Sequence, residues 1–293
     1  MKHYRYKLDT TSKKHKCPEC GQKHFVRYID HETGQYTAER YGRCDREVKC
    51  SYFLQPTYEI PYTYNYAPTP PKKKPEPSYI DLSIAEATLS NYEINPLISY
   101  LHKGYDADKI ERVIHMYNVG TAMQYGGSTV YWQIDNTCNV RAGKVMGYDK
   151  DTGKRRKSSE GKPQINWAHK LLKKPPNYNL KQCLYGLHLL SNDTKFICIV
   201  ESEKTALIMA IELPRLTWMA TGSLRGFKRE ILSPIKNYEV IAYPDKGAYL
   251  TWLKVADTLN KEGYNIKVSE KLEKDEYKEG WDLVDVIEFE EMK

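Results

Sequence analysis

Apolar and polar positions alternate through QKHFVRYIDHETGQYTAERY, residues 22–41, and predict two strands around a turn at HETGQ. The period then lapses in QPTYEIPYTYNYAPTPPKKKPEPSY, residues 55–79, where seven prolines predict an extended, semi-rigid linker. From residue 81 to 117 apolar residues recur at helical spacing in DLSIAEATLSNY and NPLISYLHKGYDADKIERVIHMY, with Asp81, Asn95 and Asp106 placed as helix caps. Alternation returns in STVYWQID and NVRAGKVMGYD, joined by the turn NTCN and followed by a second turn, DKDTGK. Beyond residue 196 strands and helices interleave. FICIV leads to EKTALIMAIE, RLTWMA to TGSLRGFKREILSPI, and EVIAYP to DKGAYLTWLKVADTLNKEG before a last strand, NIKVS. Such alternation predicts a small parallel sheet wrapped by helices.

The expected class is therefore an α+β multidomain chain. A ribbon at 1–54 is followed by the linker at 55–79, a mixed helical and β-hairpin basic region at 80–190, and a parallel-sheet α/β domain at 191–293. No apolar run approaches the roughly 18 residues of a membrane span, and MKHYRYKLDT lacks the apolar centre of a signal peptide. The expected location is the cytoplasm, with reduced thiols and no membrane partner.

Charge adds a division of labour. The formal net charge is +7, but residues 141–174 carry 11 Lys/Arg against 3 Asp/Glu, and residues 270–293 carry 4 against 10. A basic face for a polyanion and a separate acidic end follow from that segregation. Arg141, Lys144, Lys154, Arg155, Arg156 and Lys157 crowd the hairpin and its exit, with Trp132 and Trp167 beside them, so this region is the candidate surface for single-stranded DNA or RNA. Lys72 to Lys74 read more readily as a solvated run than as phosphate ligands, the 25 tyrosines as amphipathic packing, and Cys138 as an ordinary turn residue.

CPECG sets Cys17 and Cys20 two residues apart, and GRCDREVKC supplies Cys44 and Cys50 with a longer gap. Two knuckles joined by a hairpin describe a ribbon with four thiolates around a structural Zn²⁺. The looser second pair leaves open a variant in which His24 or His31 is the fourth ligand. The metal would hold residues that have too small a core of their own.

In the C-terminal region acids stand at strand ends: Glu201 after FICIV, Asp245 after EVIAYP, and Asp282 and Asp285 in GWDLVDVI beyond the last strand. Carboxyl edges of parallel strands converge, and converging carboxylates suit hard cations such as Mg²⁺ or Mn²⁺. Glu201 read alone is more readily an acid at a helix start beside a Ser202 cap, and Glu203 a neighbour that is solvated or paired with Lys204. No phosphate-binding P-loop and no dinucleotide fingerprint follows any strand.

CPECG, YGRCDREVKC, YWQID, VRAGKVMGYD, VESEKTA and YPDKGAY together resemble the Toprim-domain primase-like proteins with an N-terminal zinc ribbon, a group of Bacteroidetes proteins carried on mobile elements. The resemblance implies a primase-like protein acting in metal-dependent nucleotidyl or phosphoryl transfer on single-stranded DNA. It implies Glu201 as acid or base beside the metal and Asp245 as the first acid of an Asp-x-Asp motif, with Asp282 and Asp285 as further ligands. It also implies a separate helicase or replication protein as partner. One departure matters: DKG puts Gly247 where the second Asp would stand, and Lys246 lowers the local negative charge. A catalytically degenerate binding module and a Toprim nuclease are the alternatives.

Overall fold

The computed structural model describes residues 4–46, 48–56, 75–175 and 177–292. The chain divides into two compact units, residues 1–73 and 74–293. Most of the proline-rich stretch, with Lys72 to Lys74, lies outside the described residues.

The first unit is one antiparallel sheet in the order β1-β2-β3-β4, formed by Tyr6–Leu8, Phe25–Asp30, Gly42–Cys44 and Phe53–Leu54. The expected hairpin is only half realised. After the turn, in which Gly34 N donates to Asp30 O at 2.7 Å, the returning arm makes a single bridge, Ile29 to Tyr36. The full third strand comes later and ends on Cys44, so the sheet delivers that thiol directly. The core is small: Phe25, Cys17 and Cys44, with Cys20, Cys50 and Tyr52 packed around them.

In the second unit the three expected caps are in place. Asp81, Asn95 and Asp106 accept from backbone N–H groups at the starts of α1 (Leu82–Glu86), α2 (Pro96–Leu101) and α3 (Ala107–Met116). An antiparallel sheet follows in the order β5-β6-β7-β8, from Val119–Ala122, Ser128–Ile134, Val140–Met146 and Ile165–Trp167, and α4 (Ala168–Leu171) continues from its last strand. Cys138 sits at φ 63° in the β6–β7 turn and is exposed, as its reading as a turn residue requires.

The parallel sheet runs β10-β9-β11-β12. Its strands are β9 (Phe196–Val200), β10 (Thr217–Ala220), β11 (Glu239–Tyr243) and β12 (Asn265–Val268). Helices α5 (Glu203–Glu212), α6 (Arg229–Leu232) and α7 (Tyr249–Asn260) connect them. The connection expected to be one helix at 221–235 is broken into α6 and two short 3₁₀ turns, Leu224–Gly226 and Ser233–Ile235, because Gly226 and Pro234 interrupt it. A last helix, α8 (Leu283–Glu291), lies beyond the alternating strand-and-helix pattern, and Asp282 and Asp285 form its capping box.

Residues 80–190 and 191–293 share a core. Leu97, Ile110, Tyr131 and Tyr185 pack with Val200, Leu207, Trp218 and Val286. Tyrosines are packing residues here: Tyr117, at the C-terminus of α3, is buried and its hydroxyl donates to Trp218 O of β10 at 2.7 Å. Among the described residues no helix is long and apolar enough to cross a membrane.

Candidate functional site

In the ribbon unit the four cysteine sulfurs lie within 4.8 Å of one another. A tetrahedron with Zn–S bonds of about 2.3 Å sets sulfur separations near 3.8 Å. Cys17 to Cys50 measures 3.7 Å and Cys20 to Cys44 3.9 Å, so the thiols fit a structural Zn²⁺. Gly21, at φ 69°, closes the first knuckle by donating to Cys17 O. The longer second loop is closed by Cys50 N donating to Arg46 O at 2.8 Å. His24 and His31 are exposed and do not join this group, so the four-thiol set is the one the geometry assembles.

The second site is a cavity of about 400 Å³ at the carboxyl edge of the parallel sheet. Glu201, Asp245, Asp282 and Asp285 all line it, as do Lys154, Arg155 and Lys204. Register explains the meeting. Val200 of β9 stands opposite Tyr243 of β11, so the chain leaves both strands at one level, with Glu201 next after β9 and Asp245 two residues after β11. Asp282 and Asp285 arrive at the N-terminus of α8, which packs against α5.

The four acids differ in how they are held. Asp245 is the most perturbed: burial, then the charges of Glu201, Asp282 and Asp285, push its carboxyl up to about 8. Burial also raises Glu201, against a backbone hydrogen bond from Leu224 and the charge of Arg155. Burial and then the Asp282 charge raise Asp285. Asp282 has both oxygens engaged, Oδ1 by the N–H groups of Val284 and Asp285 and Oδ2 by the Thr205 hydroxyl. Asp285 receives one bond on Oδ2, from Asp282 N at 2.9 Å. Among the described residues, no three of these carboxylates bring ligand atoms within 4.8 Å of one another.

Several sequence-level expectations change here. Glu203, read as solvated or paired with Lys204, is 1% exposed and pairs with Lys144 at 2.9 Å. Lys144, read as a nucleic-acid ligand, is therefore turned inward. It sits on β7, an interior strand of mostly buried residues, and lines the acidic cavity with a side chain only 9% exposed. Arg141 is held by Asp135 at 2.6 Å and lies over the Tyr79 ring. Trp132, expected as a stacking surface, is 2% exposed and donates to Thr88 Oγ1. Lys154, Arg155, Arg156 and Lys157 are exposed, on a ribbon made by the bridges Tyr148–Arg155 and Lys157–Pro163. The first two reach the acidic cavity, and Arg156 lines a neighbouring cleft.

The DKG departure has a structural cause. Gly247 has φ 90°, a conformation strained for any other residue, while the nearest atom to a Cβ there is the movable carboxylate end of the exposed Glu279. Lys246 points away from the cavity, donating to the carbonyls of Glu273 and Lys274 at 2.8 and 3.0 Å. The turn after β11 is thus a dock for the segment leading into α8, leaving Asp245 as its only acid.

A cysteine-knuckle ribbon and a mixed α/β unit with acids at a parallel-sheet edge define the class of protein. Residues 95–246, just over half the chain, match the family described as Domain of unknown function (DUF6371), and the chain belongs to that family. Residues 4–65 match a family of zinc beta-ribbon fingers. No curated protein matches. Among solved structures, the chain is similar to the primase fragment of the bacteriophage T7 primase-helicase protein, at 15% identity and a TM-score of 0.41 over 86% of this chain and 87% of that one. It is similar to the RNA polymerase domain of Mycobacterium tuberculosis primase DnaG, at 14% identity and 0.45 over 70% and 76%. The E. coli primase catalytic core gives 14% and 0.45 over 71% and 74%.

Proposed function

We propose that this protein is a primase-like, Toprim-type enzyme of replication or of a mobile element, performing nucleotidyl or phosphoryl transfer on single-stranded DNA. The carrying observation is the cavity in which Asp245 meets Glu201, Asp282 and Asp285 beneath the exposed Lys154 and Arg155. Carboxylates placed together without a cation repel one another, and a divalent ion relieves that repulsion. Glu201 and Asp245 would hold Mg²⁺ or Mn²⁺, with Asp285 the next nearest in role and Asp282 fixed as the cap of α8. When bound, such an ion stabilises charge on transferring phosphoryl oxygens. Arg155 and Lys154 supply fixed positive charge at the cavity for the phosphates, and the ribbon continues it through Arg156 and Lys157. The zinc ribbon is the candidate for template contact, and a helicase or other replication protein is the expected partner. A second reading, a module that binds nucleic acid without chemistry, is favoured by one observation: Gly247 removes an acid that the resemblance leads one to expect.

The deciding experiment incubates the protein with single-stranded DNA, ribonucleotides and Mg²⁺ or Mn²⁺, beside a nuclease control with labelled DNA. Oligoribonucleotides that disappear in Asp245→Asn and diminish in the triple variant Arg155→Ala/Arg156→Ala/Lys157→Ala are expected. Cleavage without synthesis makes the protein a nuclease. Binding with neither product makes it a binding module.

A further inference from the structure

The ion pair of Lys144 and Glu203, two residues that line the acidic cavity, is not among the groups that the proposed chemistry uses. Lys144 Nζ donates to Glu203 Oε1 and Oε2 at 3.1 and 2.9 Å and to Gly222 O at 2.8 Å. The two side chains are 9% and 2% exposed. Such a pair adds little net stability, since desolvation offsets the attraction and apolar replacements are often as stable. Stability alone therefore does not account for placing it here.

Its third bond indicates another role. Gly222 N donates to Glu201 O at 2.9 Å, and Thr221 N, one residue earlier, to Val200 O at 3.1 Å. The same loop gives Leu224 N–H to the Glu201 carboxylate. Glu201 is thus held at its main chain and its side chain by the residues leaving β10, and those residues are held by Lys144. Gly222 is itself fitted to the pair: its φ is 77°, and a Cβ would stand 2.9 Å from Glu203 Oε1.

We propose that Lys144 and Glu203 are positioning residues that fix the loop at Gly222 and through it aim the Glu201 carboxylate into the cavity. This rests on the divalent-ion site proposed above. The antiparallel sheet, through Lys144 on β7, thereby sets the geometry of an acid carried by the parallel sheet. The charges of Lys144 and Glu203 act on the Glu201 carboxyl in opposite directions, so removing both together offsets much of the electrostatic change. A loss of ion affinity in the charge-free variant then reports position.

The test measures Mn²⁺ affinity, from the rise of the thermal midpoint with Mn²⁺, in the wild type and in Lys144→Met/Glu203→Leu. The expected variant folds, with a wild-type far-UV spectrum, and binds Mn²⁺ about tenfold more weakly, the usual effect of losing a group that orients a ligand. Equal affinity in a folded double variant overturns the positioning role and leaves the ion site standing. A wild type that does not respond to Mn²⁺ overturns the ion site itself, and the proposal with it. Should the double variant fail to fold, Gly222→Ala takes its place: weaker Mn²⁺ binding supports the role and unchanged binding overturns it.

Discussion

Lys144→Met alone should destabilise the second unit by about 3–5 kcal/mol, because it leaves the buried Glu203 carboxylate without its counter-charge. Glu203 is 1% exposed, and Lys144 supplies both of its side-chain hydrogen bonds. The methionine fills much of the lysine volume, so the loss is electrostatic rather than a cavity. Adding Glu203→Leu to the same chain should recover most of it. Urea unfolding reads both effects as a shifted midpoint at constant slope. A single-variant change within about 0.5 kcal/mol, the range of ordinary surface substitutions, would contradict the buried pair.

The ribbon unit should unfold when its metal is taken away. Its strands are short, and its buried apolar residues are Cys17, Phe25, Val26, Tyr28 and Cys44, too little apolar surface to hold the segment together. Protein prepared without chelators should carry about one zinc per chain. Cys17→Ser, or a strong chelator, should abolish the dispersed NMR signals of residues 4–56 while the second unit, which has its own cores, melts as before. Dispersed signals persisting in metal-free protein would remove zinc from the fold.

How far this was legible in the sequence depends on range. Local signals translated directly: the caps Asp81, Asn95 and Asp106, the β6–β7 hairpin, and the strand-to-helix change at Glu201 are written in a few adjacent residues. Partners distant in sequence were not. Lys144 in VRAGKVMGYD sits among basic residues and reads as one of them. Only the packing of two sheets shows that it meets Glu203, which lies 59 positions away. An ionisable residue inside each of two largely apolar runs was the available hint. Trp132 was misplaced for the same reason, since alternation locates a strand but not which face a second layer covers. Helix α8 was hidden by its acids: Asp282 and Asp285 read as ligands, and their service as a capping box needs the backbone to be seen. Gly247 was visible as a departure, while its cause, the φ of 90° that the turn takes there, was not.

The central claim, that Glu201 and Asp245 share a divalent ion, is tested most directly by thermal melts of wild type and Glu201→Gln across a Mn²⁺ titration at pH 6 and pH 8. Between about 4 and 8 the folded chain keeps a proton on Asp245 that the unfolded chain has lost, so the metal-free fold loses stability as pH rises through that window. Ion binding displaces this proton, and the Mn²⁺-induced rise in midpoint should therefore be larger at pH 8 than at pH 6. Glu201→Gln removes one ligand and one source of repulsion. Its rise should shrink at both pH values while the metal-free variant is no less stable than wild type. The contrary result is a variant that loses roughly 0.3–1 kcal/mol without metal, as an acid serving only the α5 dipole would, and that responds to Mn²⁺ as the wild type does.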